Sequence, residues 1–472
     1  MTKRPNILYI ITDQQHAGML GYASDQSVLT SNLDQIARSG IRFENVYCTN
    51  PVCMPSRYSL VTGHYPSTIG MEANEDENNP VPQEILEHSI GSNLKKAGYE
   101  CAYGGKVHLP GRDGIRNDVS QYGFEYISKD ENDALAKSCA EFITRQHDKP
   151  FFLTASFINP HDICFMAIFD YFKNVKSRDM SATYRREYES LSEALKLPEG
   201  MSEEEFFADV CPELPENYEV PEKELTAFMV EKPEFMHYAR EHWDEKMWRL
   251  HRWAYKRLTE RMDGQVGVLL EALDRSGHID DTVILFTSDH GDQDGAHRVE
   301  HKAFLYQESV KIPLIWSYRG VFPENQIDRE HLVCNGLDIL PTICSLAGVP
   351  VPEGLLGRDL TPLLIGQKVD DWRDHLIIEN HMARLVHMGN IKYMASRRTR
   401  HTDEECPHCK MYTRPDPASP NLEMLIDLEN DPGEMVNRVD DPLMQEYLIR
   451  GRSLLRSFME QNTYAYDENY LY

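Results

Sequence analysis

The chain has 472 residues, of which 41% are hydrophobic, and its formal net charge is −27. A chain this acidic is not expected to bind nucleic acid, because a phosphate backbone requires a basic protein face. The length suggests one large domain with a smaller companion, which we place at 1–371 and 372–472, with an insertion at 164–243.

No apolar stretch is long enough to cross a bilayer, and the chain runs into its first predicted strand without a leader. We therefore expect a soluble protein without a membrane span, cytoplasmic as printed and periplasmic or secreted if a leader was removed. The ten cysteines show no small-scaffold spacing, so we predict no disulfide framework.

The first predicted strand, at 6–12, is mostly apolar and ends in Asp13 and Gln14. The carboxyl ends of strands in open α/β sheets face the ligand crevice. From local sequence alone, Asp13 could equally cap a turn. A helix is predicted at 32–40, and a strand at 41–47 leads to the next motif.

Cys53 precedes Pro55 and Ser56, which favour a helix start, and the apolar pair Leu60 and Val61 continues that helix. Cys53 is therefore predicted at an electropositive helix N-terminus, with Ser56 satisfying free N–H groups. Such a cysteine could be a thiolate nucleophile, a core residue or the precursor of a modified residue.

A loop at 63–82 is expected to border the site, followed by a helix at 89–98 and a strand and turn at 99–108. Lys106 and His108 would point to the same face if that segment is extended. An amphipathic helix at 133–146 precedes a strand at 150–157, after which His161 should face the crevice. The insertion at 164–243 is expected to cover the site, its aromatic residues forming mainly local core.

A long amphipathic helix is predicted at 246–276, and the buried strand at 281–288 ends in Asp289 and His290. Two strand ends would thus bring two carboxylates, an amide oxygen and an imidazole around one divalent cation. Oxygen ligands favour calcium or magnesium, and the histidine admits manganese. Lys302 lies in the loop beyond, before a strand at 311–318 and a helix at 338–347.

Three short strands at 376–379, 383–387 and 391–396 predict a small antiparallel sheet, followed by a closing helix. Cys406 and Cys409, with His401 and His408 nearby, form a single Cys-x-x-Cys cluster. Without a second pair this cluster is weak evidence for zinc, and we do not include it among the metal ligands.

The motif Cys53-Met54-Pro55-Ser56-Arg57, followed by Thr62-Gly63, resembles the formylglycine signature of type I sulfatases, in the alkaline phosphatase superfamily. Segments 104–108, 289–302 and 430–434 also resemble blocks of that family. The resemblance implies an alkaline phosphatase-like fold, in which helices flank a large, mostly parallel sheet and a smaller C-terminal subdomain contains an antiparallel sheet.

By this resemblance the activity is hydrolysis of a sulfate ester, small-molecule or glycan. We expect a carbohydrate sulfate, because the acidic insertion around the pocket could contact sugar hydroxyls. Cys53 would be converted to formylglycine by a formylglycine-generating or anaerobic sulfatase-maturating enzyme, and its hydrate would be the nucleophile. The implied ligands of the cation, calcium first, are Asp13, Gln14, Cys53, Asp289 and His290.

The resemblance also assigns roles around the nucleophile. Arg57 and Lys106 would hold the hydrate, and His108 would act as base when sulfate is eliminated. Lys302 and His161 would bind sulfate oxygens with Lys106 and stabilise the departing alcohol. His161 is expected to be the better general acid, because its ordinary pKa lies nearest neutrality.

Gln14 and His290 resemble the branch shared with phosphonate monoester and phosphodiester hydrolases, so that activity is the alternative. Ile163-Cys164 also replaces the proline that often follows the family's Pro-His pair. A noncatalytic glycan-binding relative is disfavoured, because every expected catalytic position holds a competent residue. The sugar, the sulfate position and the oligomeric state, with a homo-oligomer among the options, are left open.

Overall fold

The protein is an α/β structure, described here from a computed structural model for residues 4–23, 28–76, 78–230, 232–397, 420–462, 467–470 and 472. Its described strands are β1 Asn6–Asp13, β2 Gly40–Phe43, β3 Val46–Tyr47, β4 Glu100–Gly105, β5 Glu125–Ser128, β6 Phe151–Pro160, β7 Thr282–Ser288, β8 Leu314–Ser317, β9 Gln326–Asp328, β10 Val333–Cys334, β11 Leu376–Glu379, β12 Ala383–Met388, β13 Ile391–Ser396 and β14 Glu423–Asp427.

Helices surround these strands in chain order. They are α1 Ser31–Arg38, α2 Cys53–Thr62, α3 Gln83–Glu87, α4 Ile90–Lys96, α5 Asp133–Thr144, α6 Phe165–Asn174, α7 Arg185–Ala194, α8 Glu203–Asp209, α9 Thr226–Val230, α10 Glu234–His242, α11 Glu245–Arg275, α12 Gln307–Val310, α13 Asn335–Leu346, α14 Thr361–Leu364 and α15 Gln445–Gln461. None of these helices combines the length and the apolar character that crossing a membrane requires.

The large sheet has eight strands in the order β5-β4-β6-β1-β7-β8-β2-β9. β1 lies at its centre and pairs in parallel with β6 on one side and β7 on the other. β8 is antiparallel to both of its neighbours. The other described strand pairs of this sheet are parallel, so the sheet as a whole is mostly parallel. The carboxyl ends of β1, β6 and β7 therefore open at the same edge of the sheet.

Alternate residues of β1 enter different halves of the core. Ile7, Tyr9 and Ile11 pack in one apolar cluster, and Leu8 and Ile10 pack in another on the opposite face. Both faces of the strand are thus covered, which explains why its sequence is a nearly continuous apolar run. Burial of each of these aliphatic side chains contributes about 1.5–3 kcal/mol, which fixes the strand that carries Asp13.

The C-terminal sheet is antiparallel, as predicted, and its strand order is β11-β12-β13-β14, with β14 added to the three predicted strands. α15 packs on it closely at Gly451, where a Cβ would lie 2.6 Å from Cγ of Tyr393. Tyr393 shares an apolar cluster with Phe304 and Tyr47 of the main sheet region, so the two parts have a continuous core. The boundary at 371/372, like that of the insertion, stays a prediction.

The structure differs from the sequence-based elements in places. The predicted strand at 41–47 is two short strands in different sheets, because β2 joins β8 and β9 whereas β3 pairs with β10. The predicted strand at 311–318 is shortened to β8. The eight described cysteines are all buried and free. Residues 401, 406, 408 and 409 lie outside the described part of the chain.

Candidate active site

Four polar side chains from distant segments meet at the carboxyl edge of the large sheet. Asp13 ends β1, Asp289 and His290 follow β7, and Cys53 begins α2. One ligand atom of each lies within 4.8 Å of those of the other three, and all four residues are buried. The expectation that two strand ends and the Cys53 helix converge is therefore confirmed.

Cys53 occupies the first position of α2, after Val52 in an extended conformation. Its Sγ lies 2.9 Å from Nζ of Lys302 and 3.2 Å from Nε2 of His290. Burial raises the pKa of the Cys53 thiol, but Lys106, Lys302 and His290 outweigh burial and hold it well below the ordinary value. The position thus strongly favours a negative charge.

The prediction that Ser56 caps α2 is wrong, because no side chain in this helix makes a capping hydrogen bond. Its hydroxyl instead donates to the main-chain carbonyl of Asp289 at 2.5 Å. Ser56 therefore ties the helix that carries Cys53 to the loop that carries the metal-ligand candidates.

Arg57 is 2% exposed and holds the two carboxylates together. Its Nη2 donates to Oδ2 of Asp13 at 2.9 Å, and its Nε donates to Oδ2 of Asp289 at 2.8 Å. Nη1 donates to Oγ of Ser156 and to the carbonyl oxygen of Lys106. Arg57 therefore orients both carboxylates through Oδ2, while Oδ1 of Asp13 faces Sγ of Cys53 and Oδ1 of Asp289 accepts the main-chain N–H groups of Gln14 and His290.

The two carboxylates differ in their pKa. Burial opposes ionisation of Asp13, but Lys106, His161 and Arg57 keep its pKa well below the usual range. Burial and the neighbouring Asp13 raise the pKa of Asp289 to about 6. This repulsion between carboxylates is the kind that a bound cation relieves.

Two lysines approach from different sides. Nζ of Lys106 lies 2.6 Å from Oδ2 of Asp13 and 3.8 Å from Sγ of Cys53. Nζ of Lys302 lies 2.8 Å from Oε1 of Gln14. Burial opposes the charge of each lysine, but Asp13 and Cys53 raise the pKa of both. The site therefore holds two fixed positive charges beside Cys53.

His161 lies at the end of β6, with Nε2 4.0 Å from Oδ1 of Asp13. Burial, followed by Lys106 and Lys302, lowers the pKa of His161 to about 3. The ordinary pKa of histidine, on which the prediction of His161 as general acid rests, therefore does not apply to this buried ring. At neutral pH the ring is uncharged and offers one N–H.

His108 and Lys106 follow β4, which ends at Gly105, so they are not on an extended strand as assumed. His108 has φ 47°, in the left-handed region. Both side chains nevertheless line one cavity of about 540 Å³ with Cys53 and His161. The prediction that they share a face is confirmed, although the stated backbone reason is wrong.

The donor set fits a divalent cation. Nδ1 of His290 is 2.9 Å from the carbonyl oxygen of Gly291, so it can donate there and leave the Nε2 lone pair facing Asp13 and Asp289. A lone pair aimed at two carboxylates is unfavourable unless a proton or a cation lies between them. In the metal-free protein Asp289 and Cys53 favour the proton, since they raise the pKa of His290 against burial.

Gln14 lies beside this cluster in a different hydrogen-bond arrangement. Its Nε2 donates to Oδ2 of Asp292 at 2.5 Å, which turns Oε1 toward Lys302 and the Cys164 thiol. The amide oxygen of Gln14 is thus oriented toward Lys302, which also contacts Cys53. Asp292 was not recognised in the sequence, although it follows directly after Asp289-His290-Gly291, and Cys164 was noted only as a departure from the family's pattern.

Other residues of the site were also missed. Asn74 lines both the cavity that contains Cys53 and a second cavity of about 520 Å³ that contains Lys302. Its position agrees with the prediction that the loop at 63–82 borders the site. Lys232 and His301 line the second cavity. Lys232 belongs to no motif, so only the fold could show its position.

Comparison with known proteins identifies relatives of this chain. The family model "Sulfatase" matches residues 5–349, and the model "N-sulphoglucosamine sulphohydrolase, C-terminal" matches residues 295–461. A Delta 4,5-hexuronate-2-O-sulfatase of Bacteroides thetaiotaomicron is 25% identical over 98% of this chain and 90% of the relative.

Solved structures agree with the fold. A 2-O GAG sulfatase superposes with a TM-score of 0.75 at 24% identity, covering 98% of this chain and 93% of the other. The phosphonate monoester hydrolase of Agrobacterium radiobacter gives 0.71 at 18% identity, covering 99% and 97%. The family match over most of the chain, with the Cys53 motif inside it, leads to one conclusion: this chain belongs to the sulfatase family, has an alkaline phosphatase-like fold, and is a sulfuric ester hydrolase.

Proposed function

We propose that the protein hydrolyses a sulfate ester of a carbohydrate, with Cys53 acting in its formylglycine form beside one divalent cation. The observation that supports this most strongly is the meeting of Cys53 with two carboxylates, an imidazole and two lysines in one buried cluster. A carbohydrate substrate is supported by the relative named as a hexuronate sulfatase.

The residues that would hold the cation are Asp13, Gln14, Asp289 and His290, together with the modified Cys53. Mainly oxygen ligands favour calcium and also fit magnesium, whereas the imidazole admits manganese. When bound, such a cation acts as a Lewis acid that lowers the pKa of the nucleophilic hydroxyl of formylglycine hydrate. Arg57 positions both carboxylates for this task through the hydrogen bonds described above.

Lys106 and Lys302 would neutralise the sulfate oxygens, because both remain charged and face Cys53 from two directions. Preorganised positive groups around developing negative charge are usually the largest single contribution to catalysis. His161 would donate its N–H toward the ester oxygen, and the bound anion would favour its protonation. His108, whose pKa is lowered by burial, is uncharged and suited to accept a proton near Cys53.

The proposal is tested by the mass of the peptide that contains residue 53 and by turnover of the same preparation. Protein coexpressed with a formylglycine-generating or anaerobic maturating enzyme should carry the aldehyde and hydrolyse sulfate esters. Protein made without the enzyme should carry the thiol and be nearly inactive. Full activity of a preparation that contains only intact thiol would refute the proposed chemistry.

A phosphonate monoester or phosphodiester hydrolase is the second candidate. Gln14 and His290 favour it, because this pair resembles that branch and His290 faces the nucleophile at 3.2 Å. Phosphonate and sulfate esters present similar tetrahedral anions to the same residues. Comparing kcat/KM for matched aryl sulfate and aryl phosphonate esters, with the formylglycine content measured, decides between the two.

A further inference from the structure

A chain of buried polar contacts connects Cys53 to Asp292. Nζ of Lys302 lies 2.9 Å from Sγ of Cys53 and 2.8 Å from Oε1 of Gln14. Nε2 of Gln14 in turn donates to Oδ2 of Asp292 at 2.5 Å. Gln14 and Asp292 are fully buried, and Lys302 is 5% exposed. Asp292 is thus linked to the nucleophile through two intervening side chains.

The amide of Gln14 can take one orientation in this chain of contacts. An ionised carboxylate only accepts hydrogen bonds, and an ammonium group only donates them. The amide nitrogen must therefore face Asp292, and the amide oxygen must face Lys302. The Cys164 thiol also donates to this oxygen, at 2.9 Å. Asp292 thus determines which end of the amide Lys302 meets.

Asp292 and the backbone of Gln14 are themselves held in place. Oδ1 of Asp292 accepts the main-chain N–H of Asp294 at 2.7 Å, so both of its oxygens act as acceptors. Gln14 has φ 68°, in the left-handed region, which residues other than glycine rarely adopt. Its main-chain N–H donates to Oδ1 of Asp289, and its carbonyl oxygen accepts the hydroxyl of Tyr255. Its side chain therefore starts from a fixed backbone, as residues at functional sites often do.

We propose that Asp292 is a positioning residue for the reaction. It fixes the Gln14 amide with its oxygen toward Lys302, and this acceptor keeps the ammonium group beside residue 53. With the amide reversed, an N–H group would face the ammonium group and displace it from the sulfate. This inference rests on the proposed function, since it assumes that Lys302 binds the scissile sulfate.

Exchange of the two side-chain types tests the inference. In D292N, the new amide oxygen can still accept the N–H of Asp294, so its NH2 group faces Gln14 and reverses that amide. In Q14E, two carboxylates meet. In D292N/Q14E, a carboxylate at position 14 accepts from the amide at position 292 and from Lys302, and the net charge equals that of the wild type. Each single change should therefore impair the enzyme, and the double change should restore it.

The measured quantities are kcat and KM for a sulfate ester, corrected for formylglycine content. Each single variant should lower kcat roughly tenfold or more and change KM less, because misplacing a catalytic group by about 1 Å costs up to about 10²-fold in rate. The double variant should recover most of this loss. If Asp292 only held the loop at Asp294, Q14E would not repair D292N.

D294N is the matched control. Asp294 lies in the same loop, is 4% exposed, and pairs with Arg252 at 3.2 Å. D294N/Q14E carries the same change in charge as D292N/Q14E, but the two carboxylates at positions 14 and 292 still repel each other. Recovery should therefore be confined to D292N/Q14E. Urea midpoints of the unmodified thiol form, measured in chelator, should be lowered in each single variant and raised again only in D292N/Q14E.

The inference and the proposed function fail separately. Wild-type kcat in D292N, or no recovery in D292N/Q14E, overturns the inference and leaves the sulfatase proposal intact. Equal recovery in D294N/Q14E also overturns it. Absence of sulfate-ester turnover in fully modified wild-type enzyme refutes the proposed function, and the urea midpoints then decide whether Asp292 acts through Gln14.

Discussion

Replacing Arg57 by methionine removes the guanidinium group that lies between the buried carboxylates of Asp13 and Asp289. Its guanidinium donates to Asp13, Asp289, Ser156 and the carbonyl of Lys106, at 2.8–3.1 Å. Methionine keeps much of the apolar volume and none of these bonds. Breaking a buried ion pair by removing one partner costs about 3–5 kcal/mol, a large fraction of the ~5–15 kcal/mol stability of a typical domain.

The free energy of unfolding, measured by urea titration in the presence of a chelator, checks this value. R329M is the matched control, because Arg329 pairs with Glu44 at the surface, where side-chain exposures are 63% and 35%. That exposed pair should contribute no more than about 1 kcal/mol. Saturating calcium should restore part of the R57M loss, since a cation bound to the carboxylates stabilises the folded state by ~2.7 kcal/mol at 100 times its Kd.

Comparison of R57M with R329M tests the role assigned to Arg57. If R57M unfolds within about 1 kcal/mol of the wild type in chelator, the buried carboxylates do not depend on Arg57 and the described role is wrong. If R57M is destabilised but calcium has no effect, Arg57 is structural and the cluster is not a cation site. Both results are informative without any assay of turnover.

Three further predictions concern the site and its surroundings. K302M should lower kcat/KM about 10²–10³-fold with little change in formylglycine content, because it removes one of the two positive charges that face the sulfate. A rise in KM with unchanged kcat would contradict this role. Prolonged chelation should abolish turnover and lower the unfolding midpoint, and readdition of calcium should reverse both; retention of activity after verified metal removal would count against the cation. Burial raises the pKa of Glu379 from 4.5 to about 7, so the folded protein binds this proton more tightly than the unfolded chain and stability should decline by up to about 3 kcal/mol between pH 4.5 and pH 7. E379Q should flatten that decline in urea titrations, and an unchanged slope would refute the assignment.

The sequence was sufficient for the features set by short-range patterns. The apolar run of β1 and the one before Asp289 predicted buried parallel strands, and their carboxyl ends placed two carboxylates at one edge. Cys53 at the start of a helix followed from Pro55 and the apolar residues after it. Each of these conclusions depends only on residues close in sequence and on the geometry of parallel sheets.

Long-range contacts account for what the sequence did not show. Ser56 was expected to cap its own helix, but the carbonyl of Asp289, 233 residues away, is its partner. The low pKa of His161 depends on burial and on Lys106 and Lys302, which only the folded chain brings near it. Lys232 lines one cavity with Lys302 but belongs to a segment without any motif, and no local pattern could predict that placement.

The burial of Cys53 has a consequence for how active protein is made. Its side chain is 1% exposed, and its helix is fastened at adjacent positions by Ser56 and Arg57 to the strand ends beneath. On the proposed function, a maturating enzyme would have to reach Cys53 before this segment is buried. Oxidation of this cysteine would then compete with folding, and chains that fold first would accumulate as a stable but inert pool.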